Sequence, residues 1–318
     1  CNIVIIAVAQ VMRSATTTYF AKDDGTLKDD AIAIYERLAK GKVGLIVKGH
    51  LYVMKSGKAH QGQAGISEDK HLDQLSKLTE IVHEYDSKII AQLNHAGMRN
   101  AEHKAGPSEY EGEGRKSRAL TNNEILEIIQ SFGDAAQRAK QAGFDGIQIH
   151  GAHGYLVSQF LASHTNKRDD RWGGSLEDRQ RFLLETYIEI RKRVGNSSVM
   201  LKLNCDDFTD GGLTIDESRA IAKNMAKRGL DLLEISGGGY DRNSDLKGRA
   251  FHTNPEFREL SFAGHAEKIK QVTGDMPVAL VQGFTRLKTM RQAIKQNLVD
   301  IISMSRPFIR EPNIVKKL

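Results

Sequence analysis

The sequence is poor in cysteine: it has two, Cys1 and Cys205, among 318 residues. They stand too far apart to form a local motif. That argues against a disulfide framework and against an iron–sulfur or zinc site built from thiolates, and it fits a reducing cytoplasm. No apolar run approaches the ~18 residues that a membrane-spanning helix needs. Ile3 to Val8 is apolar but lacks a preceding basic region and a cleavage site, so no signal peptide is expected. The start at Cys1 rather than Met points to a truncated or imperfectly assigned N-terminus. No Gly-rich dinucleotide fingerprint follows the first apolar run. Low-complexity tracts, linkers and exact repeats are also missing.

What remains is an ordinary globular composition, 40% hydrophobic and 27% charged, long enough to bury a large core. The net charge of +6 is spread along the chain and mixed with acids. Such a surface suits anionic ligands such as phosphates and gives no reason to expect nucleic acid.

Eight short apolar runs alternate with amphipathic stretches. They are Val4–Met12, Val43–His50, Lys88–Asn94, Asp145–His150, Val199–Asn204, Asp231–Ser236, Pro277–Gln282 and Val299–Met304. Most are continuous rather than alternating, as strands buried on both faces are. Thr121 with Glu124, Ser175 with Asp178, and Thr214 with Glu217 have capping-box spacing and mark helix starts. Ile125, Ile128, Ile129, Phe132, Ala136 and Ala139 share one helical face after Thr121. After Ser175, Leu183, Tyr187, Ile190 and Val194 share another, and Gly195 ends that helix. Eight alternating units predict a (β/α)8 TIM barrel, one domain over residues 1–318. A doubly wound sheet is the runner-up. Two polar, Gly-rich connections, 55–67 and 96–120, would lie at the strands' C-terminal ends, the second as a capping excursion after strand 3.

In a barrel the strand ends carry the site. In order these are Ser14-Ala15-Thr16, Gly49-His50, Gln92 with His95, His150 with His153 and Tyr155, Lys202, Gly237-Gly238-Gly239, Gln282-Gly283 and Ser305-Arg306. Glycines after the last three strands, with an Arg, are a means of holding a phosphate by backbone N–H groups. His150 and His153 are spaced by small residues. Two neutral imidazoles can each donate a hydrogen bond to one carbonyl oxygen, and Tyr155 can supply a proton. A metal site is the weaker alternative, since no carboxylate stands nearby in a familiar ligand spacing. Lys202 interrupts the apolar run VMLKLN and needs a partner for its charge. A Schiff-base lysine, a fixed charge beside an anionic cofactor, and a lysine reaching the barrel mouth are three readings of it.

These stretches resemble the Old Yellow Enzyme family of NADH:flavin oxidoreductases, single-domain form. The matching segments are GLIVKGHLYV, IIAQLNHAG, AGFDGIQIHGAHGYLVSQFL, NKRDDRWGGSLEDRQRF and DIISMSRPFIREP. The resemblance implies an FMN-binding barrel with NADH or NADPH as reductant and an α,β-unsaturated carbonyl, an enone or enal, as acceptor. It places Ser14, Ala15 and Thr16 at the flavin, with Thr16 on O4, and Gly49 and His50 beside the ring. Gln92 falls on the pyrimidine, and Lys202 near N1 and O2. Gly238, Gly239, Gln282, Gly283, Ser305 and Arg306 fall around the phosphate. His150 and His153 would hold the substrate carbonyl and Tyr155 would protonate the α-carbon after hydride reaches the β-carbon. Lys202 stands where Arg is common, Ser305 where Gly is, and Ser14-Ala15 where Pro-Met is.

Longer relatives continue with a cysteine cluster and further domains, so a single-domain cytoplasmic enzyme without iron–sulfur is expected. A flavin reductase or oxidase with another acceptor, and less so a Schiff-base aldolase, are the alternatives. Arg99, Lys104, Arg115, Lys116 and Arg118 are candidate contacts for a dinucleotide's phosphates. A homo-oligomer is left open.

Overall fold

Runs that are apolar at every position cannot lie on a one-faced sheet; they need cover on both sides. The barrel supplies it. The computed structural model describes residues 10–100, 102–112, 115–238 and 260–318. Its main strands are β1 (Val11–Arg13), β2 (Leu45–Tyr52), β3 (Lys88–Asn94), β7 (Gly146–Gly151), β8 (Ser198–Asn204), β9 (Leu232–Ser236), β10 (Val278–Val281) and β11 (Ile301–Met304). They close in the order β1-β11-β10-β9-β8-β7-β3-β2, and every pair is parallel. β3 has the bounds expected of it, and the bounds of β2 and β7 to β11 shift by at most two residues. β1 is shorter than Val4–Met12; residues 1–9 lie outside the described part.

Side chains alternate between the two faces of each strand. The outward set joins the helices in one large core that includes Ile125, Phe132, Tyr187 and Ile190. The inward set forms a separate plug of Met12, Leu45, Val47, Ile90, Met200, Leu232, Ala279 and Ile301, each at most 2% exposed. Burying each of these larger side chains is worth about 1.5–3 kcal/mol. The plug fills the lower barrel, so the site can only be above it.

The capping boxes form as their spacing predicts. Thr121 accepts from Glu124 N, and Thr214 from Glu217 N, opening helices Asn122–Gln141 and Ile215–Lys227. The stretch after Ser175 differs from the single helix expected. Ser175 caps one turn, Leu176–Arg179, and a second helix, Arg181–Val194, follows. Gln180 sits at ψ −9 between them. The buried Arg179 is drawn inward, to Leu161 O and the Glu217 carboxylate, which accounts for the break.

The excursion after β3 has a sheet of its own. A 3-10 turn, Gly97–Arg99, precedes β4 (Ala105–Gly106), β5 (Tyr110–Gly112) and β6 (Arg115–Ala119), in the order β4-β6-β5. Two residues fasten it. Asn100 donates to Ser56 O (2.6 Å) and Lys58 O (2.7 Å), tying it to the loop after β2. Arg168 donates to Pro107 O and Leu120 O, both at 2.8 Å, from the segment that follows β7. Among the described residues no helix is long and apolar enough to cross a membrane.

Candidate active site

Two residues above the plug, the inward positions turn polar. Met12 gives way to Ser14, Ile90 to Gln92, Met200 to Lys202, Leu232 to Glu234 and Ile301 to Ser303, and β7 adds Gln148. Together they form one buried network. Glu234, 0% exposed, accepts from Ser14 Oγ (2.7 Å), Ser303 Oγ (2.6 Å), Gln148 Nε2 (2.8 Å) and Lys202 Nζ (3.2 Å). Four donors fill the acceptor sites of a carboxylate. Lys202 also donates to Ser14 Oγ (2.8 Å), and Gln92 Nε2 to Gln148 Oε1 (2.7 Å). Lys202 thus has the partner its place in an apolar strand demanded: parallel pairing sets Lys202 beside Glu234. Glu234 escaped the sequence reading. Its signal was the same as that of Lys202, a charge inside an apolar run, LLEIS.

At the end of β7 the chain turns sharply. His153 (φ 62) and Gly154 (φ 68) are both left-handed, which reverses the backbone after His150 and leads into helix Leu156–Leu161. The turn gathers rings. His150 lies 5.2 Å from His153, 4.9 Å from Tyr155 and 6.0 Å from His50, between centroids. His50 is 5.2 Å from Tyr155 and 5.6 Å from His60, which packs on Tyr19 at 4.6 Å. His60 and Tyr19 were not anticipated; no local spacing marks them. Ser236 Oγ holds His153 Nε2 at 2.7 Å, and Asn204 Oδ1 accepts from His153 N (3.3 Å). His150 Nδ1 is buried without a protein partner. His95, buried nearby, caps Gly97 N through Nδ1.

Burial sets the protonation of this group. It pushes His50 and His153 down to about 3, helped by the positive charge of neighbouring Lys202, and lowers His150 well below the ordinary imidazole value. These rings are neutral in water near pH 7, so each carries one N–H. Burial raises the Tyr155 phenol, against the pull of Arg99, whose guanidinium lies 5.7 Å from its ring centroid.

A cleft of ≈ 990 Å³ opens above the network. Its lining includes Ser14, Ala15, Lys202 and His153 on one side, and Gln282, Gly283, Ser305 and Arg306 on the other. Gln282 (φ 93) and Gly283 (φ 86) form a left-handed pair, and a Cβ on Gly283 would lie 2.4 Å from Leu260 N. Thr16 Oγ1 is 2.7 Å from Ser305 Oγ and donates to Ser14 O (3.0 Å), joining the two sides. A Cβ on Gly49 would fall 2.1 Å from Thr16 O, so only glycine lets β2 approach the segment after β1 here.

Other expected residues stand off the cleft. Gly238 N donates to Asp206 O (3.0 Å), and Gly238 O accepts from Asn204 (2.8 Å). Gly239 lies outside the described residues. Gln92 joins the network only through Gln148, which in turn donates to Glu234. His50 Nδ1 is held at 3.0 Å by Gln63 and by Asn94. Of the basic residues in the excursion, Arg118 is committed to Glu124 (2.5 and 2.9 Å) and Lys116 is 3.6 Å from Glu111. The Arg115 side chain lies outside what is described. Among the described residues no three His, Cys, Asp or Glu side chains converge on a metal position.

This donor set fits a planar, anionic redox cofactor carrying a phosphate. An ammonium has three hydrogens, and two of those on Lys202 are taken, leaving one for a ligand. Arg306 and the close-packed Gly283 lie on the cleft's other side. The model of the NADH:flavin oxidoreductase / NADH oxidase family matches residues 9–318. The chain is 35% identical to an NADH oxidase of Thermoanaerobacter brockii over 319 residues, 97% of this chain and 48% of the relative. It is 36% identical to an NADPH dehydrogenase of Bacillus velezensis over 298 residues, 92% of this chain and 84% of the relative. Among solved structures it is similar to a 2-naphthoyl-CoA reductase in complex with 2-naphthoyl-CoA. That match has TM-score 0.89 and 30% identity, covering 97% of this chain and 49% of the other. The chain thus spans about half the length of the oxidase and the reductase, and most of the dehydrogenase.

Proposed function

From the premise that the chain belongs to the NADH:flavin oxidoreductase / NADH oxidase family, an FMN-using family of Old Yellow Enzyme type, we propose that it is an ene-reductase. Its acceptor is an α,β-unsaturated carbonyl, and its reductant NADPH or NADH. The observation that carries this reading is the pair of neutral imidazoles, His150 and His153, 5.2 Å apart beside the Tyr155 phenol. Two N–H donors with no positive charge suit a carbonyl oxygen that gains charge only as the reaction proceeds. The naphthoyl-CoA in the similar reductase is itself a conjugated acyl compound, which supports the acceptor class.

Bound FMN would supply the hydride relay between the nicotinamide and the acceptor's β-carbon. The protein's residues do the rest. His150 and His153 hold and polarise the carbonyl. Tyr155 keeps its proton until the α-carbon needs it. Lys202, Thr16 and Gln92 would serve the flavin's polar edge, while Ser14, Ala15, Gly49 and His50 would pack beside its ring. Gln282, Gly283, Ser305 and Arg306 would hold its phosphate.

The test is an anaerobic absorbance titration of protein reconstituted with FMN. NADPH or NADH should bleach the flavin and cyclohexenone should restore the colour. Tyr155→Phe should bleach normally and recover at least ~100-fold more slowly, the usual weight of one general acid. Bleaching by nicotinamide without recovery by any enone, but with recovery by oxygen, would favour the oxidase reading that the name of the Thermoanaerobacter relative suggests.

A further inference from the structure

Glu234 lies in the buried network under the cleft and accepts from four side chains there. We propose that Glu234 is a positioning residue that sets the reduction potential of the flavin by offsetting the charge of Lys202. The inference rests on the flavin reading above, with Lys202 at the cofactor's polar edge.

The argument is electrostatic. NAD(P)H delivers a hydride, two electrons with one proton, so that NAD(P)H and FMN become NAD(P)+ and an anionic reduced flavin. The reduced state therefore carries one more negative charge than the oxidised one. A lone buried ammonium beside it would favour the reduced state strongly, because a low-dielectric interior screens little. Such a flavin takes hydride readily and gives it up poorly, and the enone half of the cycle needs it given up. A carboxylate 3.2 Å from the ammonium cancels most of that bias.

The geometry makes the cancellation permanent. Glu234 is fully buried and carries four donors, so it has no rotamer to escape into. Register pairing of β8 with β9 holds Lys202 beside it. Ser14 Oγ, between the two, accepts from Lys202 and donates to Glu234, so both charges are aligned by one hydroxyl. A carboxylate present only to satisfy barrel hydrogen bonds could be replaced by its amide without moving the potential. That difference is measurable.

The experiment is the midpoint potential of FMN-loaded protein, equilibrated anaerobically against a reference dye, with affinity for sulfite as a second readout. Sulfite adds to oxidised flavin and leaves the ring anionic, so it reports the same local charge without turnover. Glu234→Gln is expected to favour the reduced flavin by about tenfold or more at fixed ambient potential. That shift corresponds to about 30 mV upward for a two-electron couple. It should also tighten sulfite binding. Glu234→Asp, which keeps the charge, should stay near the parent.

Should Glu234→Gln not fold, Lys202→Met and the double variant Lys202→Met/Glu234→Gln carry the test. The single variant should lower the potential, and adding Glu234→Gln should raise it again. Bound FMN with an unchanged potential and sulfite affinity in Glu234→Gln, or in the double relative to Lys202→Met, overturns the inference alone. Parent protein that binds no FMN overturns the flavin reading and the inference together.

Discussion

Tyr155 shows how burial and chemistry meet in one residue. Burial raises its phenol above the ordinary value, so it stays protonated across the neutral and mildly alkaline range. The rate of flavin reoxidation by enone should therefore be flat over that span; a fall in stopped-flow rate below about pH 9 would refute Tyr155 as the donor. The histidines behave oppositely. His50 and His153 are lowered to about 3, and His95 to about 4, by burial. Between the unfolded value near 6.5 and these folded values, the unfolded chain holds protons that the folded one refuses. Stability should be full above that window and fall as pH drops through it. His95→Asn should reduce the slope of stability against pH there by about one proton, read from urea midpoints at several pH values. The sequence showed which rings were suspicious, because His150, His153 and Tyr155 fall within six residues of chain. It could not show His60 or Tyr19, which reach the cluster from a loop and from the segment after β1.

Among the elements, legibility followed locality. Capping boxes are four-residue facts, and those at Thr121 and Thr214 formed as read. Replacing either Thr with Ala should cost about 1 kcal/mol. The two losses should add in denaturant melts, since the helices' caps share no partner. The excursion's sheet was illegible for the converse reason. Strands such as AG, YEG and RKSRA are too short and too polar to show a period, and pairing across the loop defines them. The broken helix after Ser175 was missed because Arg179 points inward for a partner, Glu217, that lies 38 residues away in sequence. Gly49 belongs here too. Gly49→Ala would drive a methyl into the Thr16 carbonyl and push the segment after β1 away from β2. Loss of FMN binding at little change in far-UV circular dichroism is the expected result.

For the whole molecule, the closed barrel was predictable from eight apolar runs, but the floor of its site was not. Gln92, Gln148, Lys202, Glu234 and Ser303 come from five strands and Ser14 from the residue after β1, and only the register of the barrel brings them together. Lys202 could be singled out by its cost in an apolar strand; its partner needed the fold. Asn100 likewise joins loops 40 or more residues apart. Asn100→Ala should loosen both, seen as faster limited proteolysis within 97–120 and, in the same variant, within 55–67.

The plug beneath that floor has a kinetic corollary. Eight sealed side chains leave the barrel without a lower door, so whatever reaches the floor must back out the way it came in. Two visitors that need the same spot above His150 and His153 then have to queue. Initial-rate plots of reciprocal velocity against reciprocal nicotinamide concentration, at several enone concentrations, should be parallel lines, and each reactant in excess should inhibit by occupying the other's turn.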